Sequence, residues 1–327
     1  MSLLHEEQDL LGSDYRARTF AFANRHSTAP VNQVHTTLVH HVGNPSATKA
    51  ILYVHGYTDY FFQTELAEHL VSLGYRFYAM DLQGYGRSIR PSTPPNWCDS
   101  IDQYQQDLNI ALATLKQDGI TDVVMLAHST GGLIVSTYLA QRHHKGLPTV
   151  RGLMLNSPFL ALPFPPKILK RLSWPIRILV GLLPFSYLRA KKFTLYAQSI
   201  HHKFGGEWHY RLDWKPAQGF DLSFHWLKEV IHAQRYLANQ RLHLPTLLCR
   251  SNTSTIGKLT VAETQQGDGV LDVDSMQAAA ETTFTDLTQV TIPQGFHDLA
   301  LSALPARQAY YQALTDWLHI QESAQGF

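Results

Sequence analysis

The sequence predicts an α/β fold: a mostly parallel central sheet with helices on both faces and a helical cap inserted late in the chain. Three observations lead there. From residue 50 onward, short apolar runs of strand length alternate with stretches of helical periodicity. The third of these strands runs straight into a turn centred on Ser129 and then into a helix. The alternation stops between Ser157 and about Asp221 and then resumes, which marks an insertion. At 327 residues the chain is long enough for one domain carrying such an insertion, and the predicted division is a core of residues 1–157 and 221–327 with a cap at 158–220.

Each element has a reason in the sequence. Residues 16–24 and 34–42 alternate polar and apolar side chains, as half-buried antiparallel strands do. Residues 50–54 (AILYV) are apolar throughout, which suits a strand covered on both faces. Leu66, Leu70 and Leu73 give 63–73 a helical stripe, and 75–80 is the next strand. Tyr104, Leu108, Leu112 and Leu115 do the same for the helix at 101–117. Strand 122–126 leads into the serine turn, and 133–142 continues as a helix. Strands follow at 150–155, 244–249 and 287–292, and a closing helix runs from 306 to about 319.

Composition narrows the function. Hydrophobic residues make up 44% and charged residues 16%, a globular rather than a disordered balance. A formal charge of +1 provides no field to gather nucleic acid, so that class is set aside. Cys98 and Cys249 are too few for a disulfide framework and form no CxxC pair, so both are expected as buried thiols. The N-terminal residues lack a basic start followed by an apolar run, and no stretch reaches the ~18 apolar residues of a membrane span. A cytoplasmic protein is expected.

The chemistry centres on Ala127-His128-Ser129-Thr130-Gly131-Gly132. A strand, a sharp turn and an immediate helix hold a serine in a strained conformation that lifts its Oγ above the sheet. Ser129 is therefore the candidate nucleophile. Adjacent residues on such a turn diverge, so His128 is expected to pack rather than act as base. Acyl transfer also needs two N–H groups aimed at the developing oxyanion. One is expected from Thr130, just after the nucleophile. The other is expected from Tyr57, in the loop His55-Gly56-Tyr57 that ends strand 50–54, with His55 as a structural hydrogen-bonder.

The acid and base should follow in chain order, each after a strand. His297 sits on a turn right after the last strand, preceded by Gly295. The chain has 18 histidines, so position rather than residue type singles it out as the general base. Asp268 precedes Val270-Leu271, and Asp272 opens the next helix as a plausible N-cap. Capping explains Asp272 and leaves Asp268 as the favoured acid, with Asp274 and Asp298 as further alternatives.

At these residues the sequence resembles the monoglyceride lipase / serine aminopeptidase branch of the α/β-hydrolase superfamily, often described as lysophospholipase-like. The resemblance is carried by His55-Gly56, Asp81-Leu-Gln-Gly84-Tyr-Gly86-Arg-Ser88, His128-Ser129-x-Gly131-Gly132, Asp268-x-Val-Leu-Asp272 and Gly295-x-His297-Asp298, in the family's order. It implies the α/β-hydrolase fold, a serine hydrolase mechanism and no metal or organic cofactor. It also implies Asp268 as the acid and a shaping role for 81–88, so that Ser88 is no rival nucleophile. Two departures stand out: Ala127 replaces the usual Gly, and the loop 252–266 before the acid is longer than usual.

Residues 159–188 are rich in Leu, Ile, Phe and Pro, with Lys167, Lys170, Arg171 and Arg177 interspersed. Prolines 163, 165, 166, 175 and 184 forbid one continuous helix and predict two or three short ones. Two readings stand: an apolar lid over an acyl pocket with its basic residues at a lipid or membrane surface, or a cap that only buries its apolar face. The aromatic stretch Gly205 to Pro216 either closes the pocket from the other side or acts as a structural clamp. The expected activity is hydrolysis of carboxylic esters with apolar acyl chains, with proline-type aminopeptidase or amidase chemistry as the alternative and a non-catalytic binding module behind it. The expected partner is a small-molecule ester.

Overall fold

The computed structural model describes residues 2–24, 33–141, 146–162 and 194–325, together with 171, 174–175, 178, 183 and 187–190. The strands are β1 (Ser2–Gln8), β2 (Tyr15–Ala23), β3 (Gln33–His41), β4 (Lys49–Val54), β5 (Arg76–Asp81), β6 (Asp122–His128), β7 (Thr149–Asn156), β8 (Tyr187–Leu188), β9 (Leu222–Ser223), β10 (Thr246–Ser251) and β11 (Leu287–Ile292). Nine of them form one sheet in the order β1-β2-β3-β5-β4-β6-β7-β10-β11. The pairs β1–β2, β2–β3 and β3–β5 are antiparallel, and all the others in this sheet are parallel. The short strands β8 and β9 pair separately. The helices among the described residues include α1 (Thr64–Ser72), α2 (Tyr104–Gln117), α3 (Thr130–Gln141), α4 (Leu195–Ile200), α5 (Phe224–Leu237), α6 (Val261–Thr264), α7 (Val273–Thr283) and α8 (Leu304–Gln325).

The apolar runs of the central strands have the physical cause the pattern suggests. Alternate residues of β4 and β6 enter opposite cores: Ala50, Leu52, Val54, Val123 and Met125 on one face, Ile51, Tyr53, Val124 and Leu126 on the other. Helices α2, α3 and α5 cover the first face through Leu108, Leu133 and Val230. Helices α1 and α8 cover the second through Leu66, Leu70, Leu314 and Trp317.

Some boundaries differ from expectation for local reasons. Strand β10 starts at Thr246, because Pro245 has no N–H to give to the ladder. Helix α3 starts at Thr130 rather than 133, since the turn feeds directly into it, and the Arg142 end of the predicted helix lies outside the described residues. The first turn of the helix expected at 101–117 is a 3₁₀ segment, Ile101–Gln103. Strand β1 was not anticipated: all its side chains are exposed, so no alternation reveals it, and backbone pairing to β2 holds it. The described part of 158–220 includes α4, and most of the predicted proline-broken helices lie outside the described residues.

Parallel register is what assembles a site. Val54 pairs with Ala127, Ala127 with Leu155, and Cys249 with Asn156. The carboxyl ends of β4, β6, β7 and β10 therefore lie side by side, the edge where open α/β sheets place their ligands.

Candidate active site

Ser129 leaves β6 with φ +51°, a left-handed conformation that a serine adopts only when its surroundings hold it there. Those surroundings are visible. Its N–H donates to Asn156 O at 3.0 Å, and its carbonyl accepts from Gly132 N at 3.0 Å and Phe159 N at 2.9 Å. The two glycines that follow are required by space. A Cβ at Gly131 would sit 2.4 Å from His55 O, and one at Gly132 would sit 2.6 Å from the Pro158 side chain. The β6–α3 turn can close onto β4 and β7 only without those atoms.

Three of the predicted residues come together. His297 Nε2 lies 2.9 Å from Ser129 Oγ, and His297 Nδ1 lies 3.0 Å from Asp268 Oδ2. A carboxylate only accepts, so Nδ1 carries the proton and Nε2 is left to accept the serine hydroxyl. The other oxygen, Asp268 Oδ1, accepts from Val270 N and Leu271 N, both at 2.8 Å. Asp268 is fully buried and His297 and Ser129 nearly so. This arrangement can take a proton from the hydroxyl, hold it on the imidazole beside a fixed negative charge, and return it.

The rival acids are elsewhere. Asp272 Oδ1 accepts from Ser275 N at 2.8 Å and caps α7, and Asp274 is exposed on the first turn of that helix. Asp298 turns away from His297 into a buried network, accepting from Asn156 Nδ2 and Gln63 Nε2 (both 2.8 Å) and from Ala300 N. His128 meets Asn156 O through Nδ1 at 3.1 Å. His55 meets Gly56 O through Nδ1 and accepts from Leu82 N through Nε2. Burial holds both imidazoles below the ordinary histidine range, so they stay neutral. Ser88 Oγ is buried and donates to Asp81 O at 2.7 Å.

The loop after β4 approaches the serine closely. A Cβ on Gly56 would lie 2.9 Å from Ser129 Cβ, so glycine is needed for that approach. Tyr57 and Thr130, the predicted donors, both line the same cavity as Ser129 and His297. Behind the loop, Arg87 joins Asp9 (2.6 Å) and Asp81 (2.8 Å), and Asp81 Oδ1 accepts from Phe61 N at 3.0 Å. Residues 81–88 are thus tied to the chain just past the β4 loop, at Phe61.

The cavity above Ser129 has a volume of about 740 Å³. Much of its wall is apolar, including Phe159, Leu162, Leu195, Leu222, Trp226 and Leu271. The wall also carries polar groups, and here the sequence reading missed two residues. Asp59, from the loop after β4, and Lys215, from the aromatic stretch 205–216, form a buried ion pair at 2.5 Å. Burial alone would raise the Asp59 pKa, but the Lys215 ammonium outweighs it and holds the carboxyl below its ordinary range. No motif announces Lys215, which is one basic residue in an aromatic-rich stretch. Asp59, His128 and Asp298 bring donor atoms within 4.8 Å of one another, but the lysine already neutralises Asp59 and N–H groups occupy Asp298. That donor set fits a lysine better than a metal ion. The aromatic stretch does reach the cavity, through Tyr210, Lys215 and Pro216, and also packs Tyr210 on Phe62 and Trp214 on Tyr60.

A family model described as "Serine aminopeptidase, S33" matches residues 45–301. The chain belongs to that family. The match runs from just before β4 to just past His297 and includes every residue of the site. Among solved structures, this S33 member is similar to the monoacylglycerol lipase of Paleococcus ferrophilus, with 19% identity, a TM-score of 0.61 and coverage of 83% of this chain and 94% of that one. It is also similar to a soluble variant of the Saccharomyces cerevisiae monoglyceride lipase bound to a substrate analogue, with 15% identity, a TM-score of 0.64 and coverage of 93% and 96%. At these identities the likeness is one of fold, the α/β-hydrolase fold. A curated relative, the Escherichia coli protein YnbC, is 32% identical over 116 residues, which are 35% of this chain and only 19% of that protein. Among the described residues, no helix is long and apolar enough to cross a membrane.

Proposed function

We propose that this S33 family member is a serine esterase that hydrolyses carboxylic esters with apolar acyl chains through an acyl-enzyme. The observation that carries the reading is the hydrogen-bonded line Asp268–His297–Ser129 opening onto a largely apolar cavity. Ser129 Oγ attacks the ester carbonyl carbon while His297 Nε2 takes the hydroxyl proton. The carbonyl oxygen gains the negative charge and is held by the N–H groups of Tyr57 and Thr130. The intermediate collapses, the carbon–oxygen bond to the alcohol breaks, and His297 protonates the departing alkoxide. Water then attacks the acyl-enzyme with His297 again as base, releasing the acid and restoring Ser129. Asp268 holds the tautomer and stabilises the imidazolium.

In this reading residues 158–220 cap the site, and the apolar wall takes the acyl chain of a monoacylglycerol, a lysophospholipid or a simpler ester. The described residues Trp174, Ile178, Leu183 and Leu188 of that segment are exposed, which supports a lid face that meets a lipid surface.

A second reading, aminopeptidase chemistry on the same groups, is favoured by the family's description and by the Asp59 carboxylate on the cavity wall. Against it, Lys215 already pairs with Asp59 Oδ1 at 2.5 Å, which offsets the charge that carboxylate could offer a substrate ammonium. Rates on p-nitrophenyl butyrate and on aminoacyl-naphthylamides test the two side by side. The ester is expected to turn over at least ~100-fold faster, and faster cleavage of the naphthylamides would reverse the assignment.

A further inference from the structure

The loop after β4 is held by residues 211–221 at four consecutive residues. Tyr57 Oη donates to Asp221 O at 3.2 Å, and Phe220 N donates to Thr58 Oγ1 at 3.4 Å. Lys215 Nζ donates to Asp59 Oδ1 at 2.5 Å, and Arg211 N donates to Tyr60 Oη at 2.8 Å. All four partners lie between residues 211 and 221. The loop needs such a hold, because Thr58 has φ +50°, a costly conformation for a β-branched residue. Of the four contacts only Lys215–Asp59 is an ion pair, and both its members are buried, so breaking it leaves an uncompensated buried charge. The Lys215 ammonium also lies over the Phe62 ring at 5.3 Å and the Tyr210 ring at 5.7 Å.

We propose that residues 211–221 clamp the loop that presents the Tyr57 N–H to the oxyanion, and that Lys215 is the positioning residue anchoring this clamp. The inference rests on the serine-esterase reading for the role of that N–H. Lys215 acts through Asp59 and the loop backbone, so its effect falls on the transition state rather than on substrate binding. The inserted stretch thereby does more than cover the acyl pocket: the catalytic geometry depends on its being seated.

The test compares wild type, Lys215→Met, Lys215→Arg, Tyr60→Phe and Ser129→Ala on p-nitrophenyl butyrate, with amide hydrogen exchange of loop residues 57–60 measured in parallel. Lys215→Met should lower kcat between about 10- and 100-fold with KM within about threefold. Lys215→Arg, which keeps the charge, should recover most of that loss. Tyr60→Phe, a milder cut in the same clamp, should lower kcat about threefold to tenfold. Loop amides should exchange at least ~10-fold faster in Lys215→Met, with the sheet amides unchanged. A raised KM with kcat retained would make Lys215 a substrate ligand and overturn the proposal. Unaltered loop exchange would overturn it whatever happens to activity. Should Lys215→Met not fold, Tyr60→Phe decides alone, and an unchanged kcat there refutes the clamp. Full activity in Ser129→Ala would instead refute the esterase reading, a result separate from loop exchange.

Discussion

His297 Nε2 lies 2.9 Å from Ser129 Oγ, although the two residues are 168 positions apart in the chain. The contact joins the end of β6 to the turn after β11, two strands that do not pair with each other. Only the parallel register of the intervening β7 and β10 brings their carboxyl ends into one place.

The two nearby aspartates should separate cleanly by function. Asp268 contacts His297, whereas Asp272 caps α7. Asp268→Asn is expected to lower kcat by about 10³–10⁴-fold while the protein remains folded. Asp272→Ala should keep kcat within about twofold and cost about 1 kcal/mol of stability through the lost cap. Ester kinetics and chemical denaturation of both variants check the pair, and exchanged phenotypes would exchange the roles.

Two glycines near Ser129 should also differ. A Cβ at Gly131 meets backbone oxygens of Val54 and His55 at 2.5 and 2.4 Å, where little can give. Gly131→Ala should destabilise the fold by about 2–3 kcal/mol. A Cβ at Gly56 meets chiefly the Ser129 and His128 side chains, at 2.9 and 3.2 Å. Gly56→Ala should leave the melting temperature closer to wild type yet lower kcat by about 10–100-fold, by displacing the Ser129 side chain. Melting curves and initial rates on the same preparations provide the comparison.

Acid–base linkage makes a third prediction. Burial raises the Asp107 carboxyl to about 6, only partly opposed by hydrogen bonds from Gln83. Its folded pKa lies above the unfolded value of about 3.9, so the native state holds the proton more tightly. The stability it contributes is fully present below about pH 4 and is lost as pH rises through about 6. The unfolding free-energy difference between wild type and Asp107→Asn should therefore move against wild type between about pH 4 and 7. A difference that stays flat across that window would contradict the raised value.

The parts of this molecule that were legible in the sequence are those where one physical demand acts on neighbouring residues. Continuous apolar runs in β4 and β6 follow from burial on both faces, and Ser129-x-Gly131-Gly132 follows from a turn with no room for side chains. Asp268 and His297 could be proposed because chain order and a preceding strand constrain them. Strand β1 left no trace, because its exposed side chains carry no pattern, and backbone pairing to β2 with the Glu6–Arg18 ion pair holds it. The Asp59–Lys215 pair was equally silent. Its members are 156 residues apart, and an ion pair formed by tertiary packing imposes no local spacing on either.

The most direct test of the central claim is to quench a reaction with p-nitrophenyl butyrate and locate the acyl group by peptide mass spectrometry, in wild type and Ser129→Ala. A butyryl group on Ser129 in wild type is expected. Its absence from the variant should coincide with at least a ~10⁴-fold loss of turnover and an unchanged melting curve. Undiminished hydrolysis by Ser129→Ala, or an acyl group on another residue, would contradict the account.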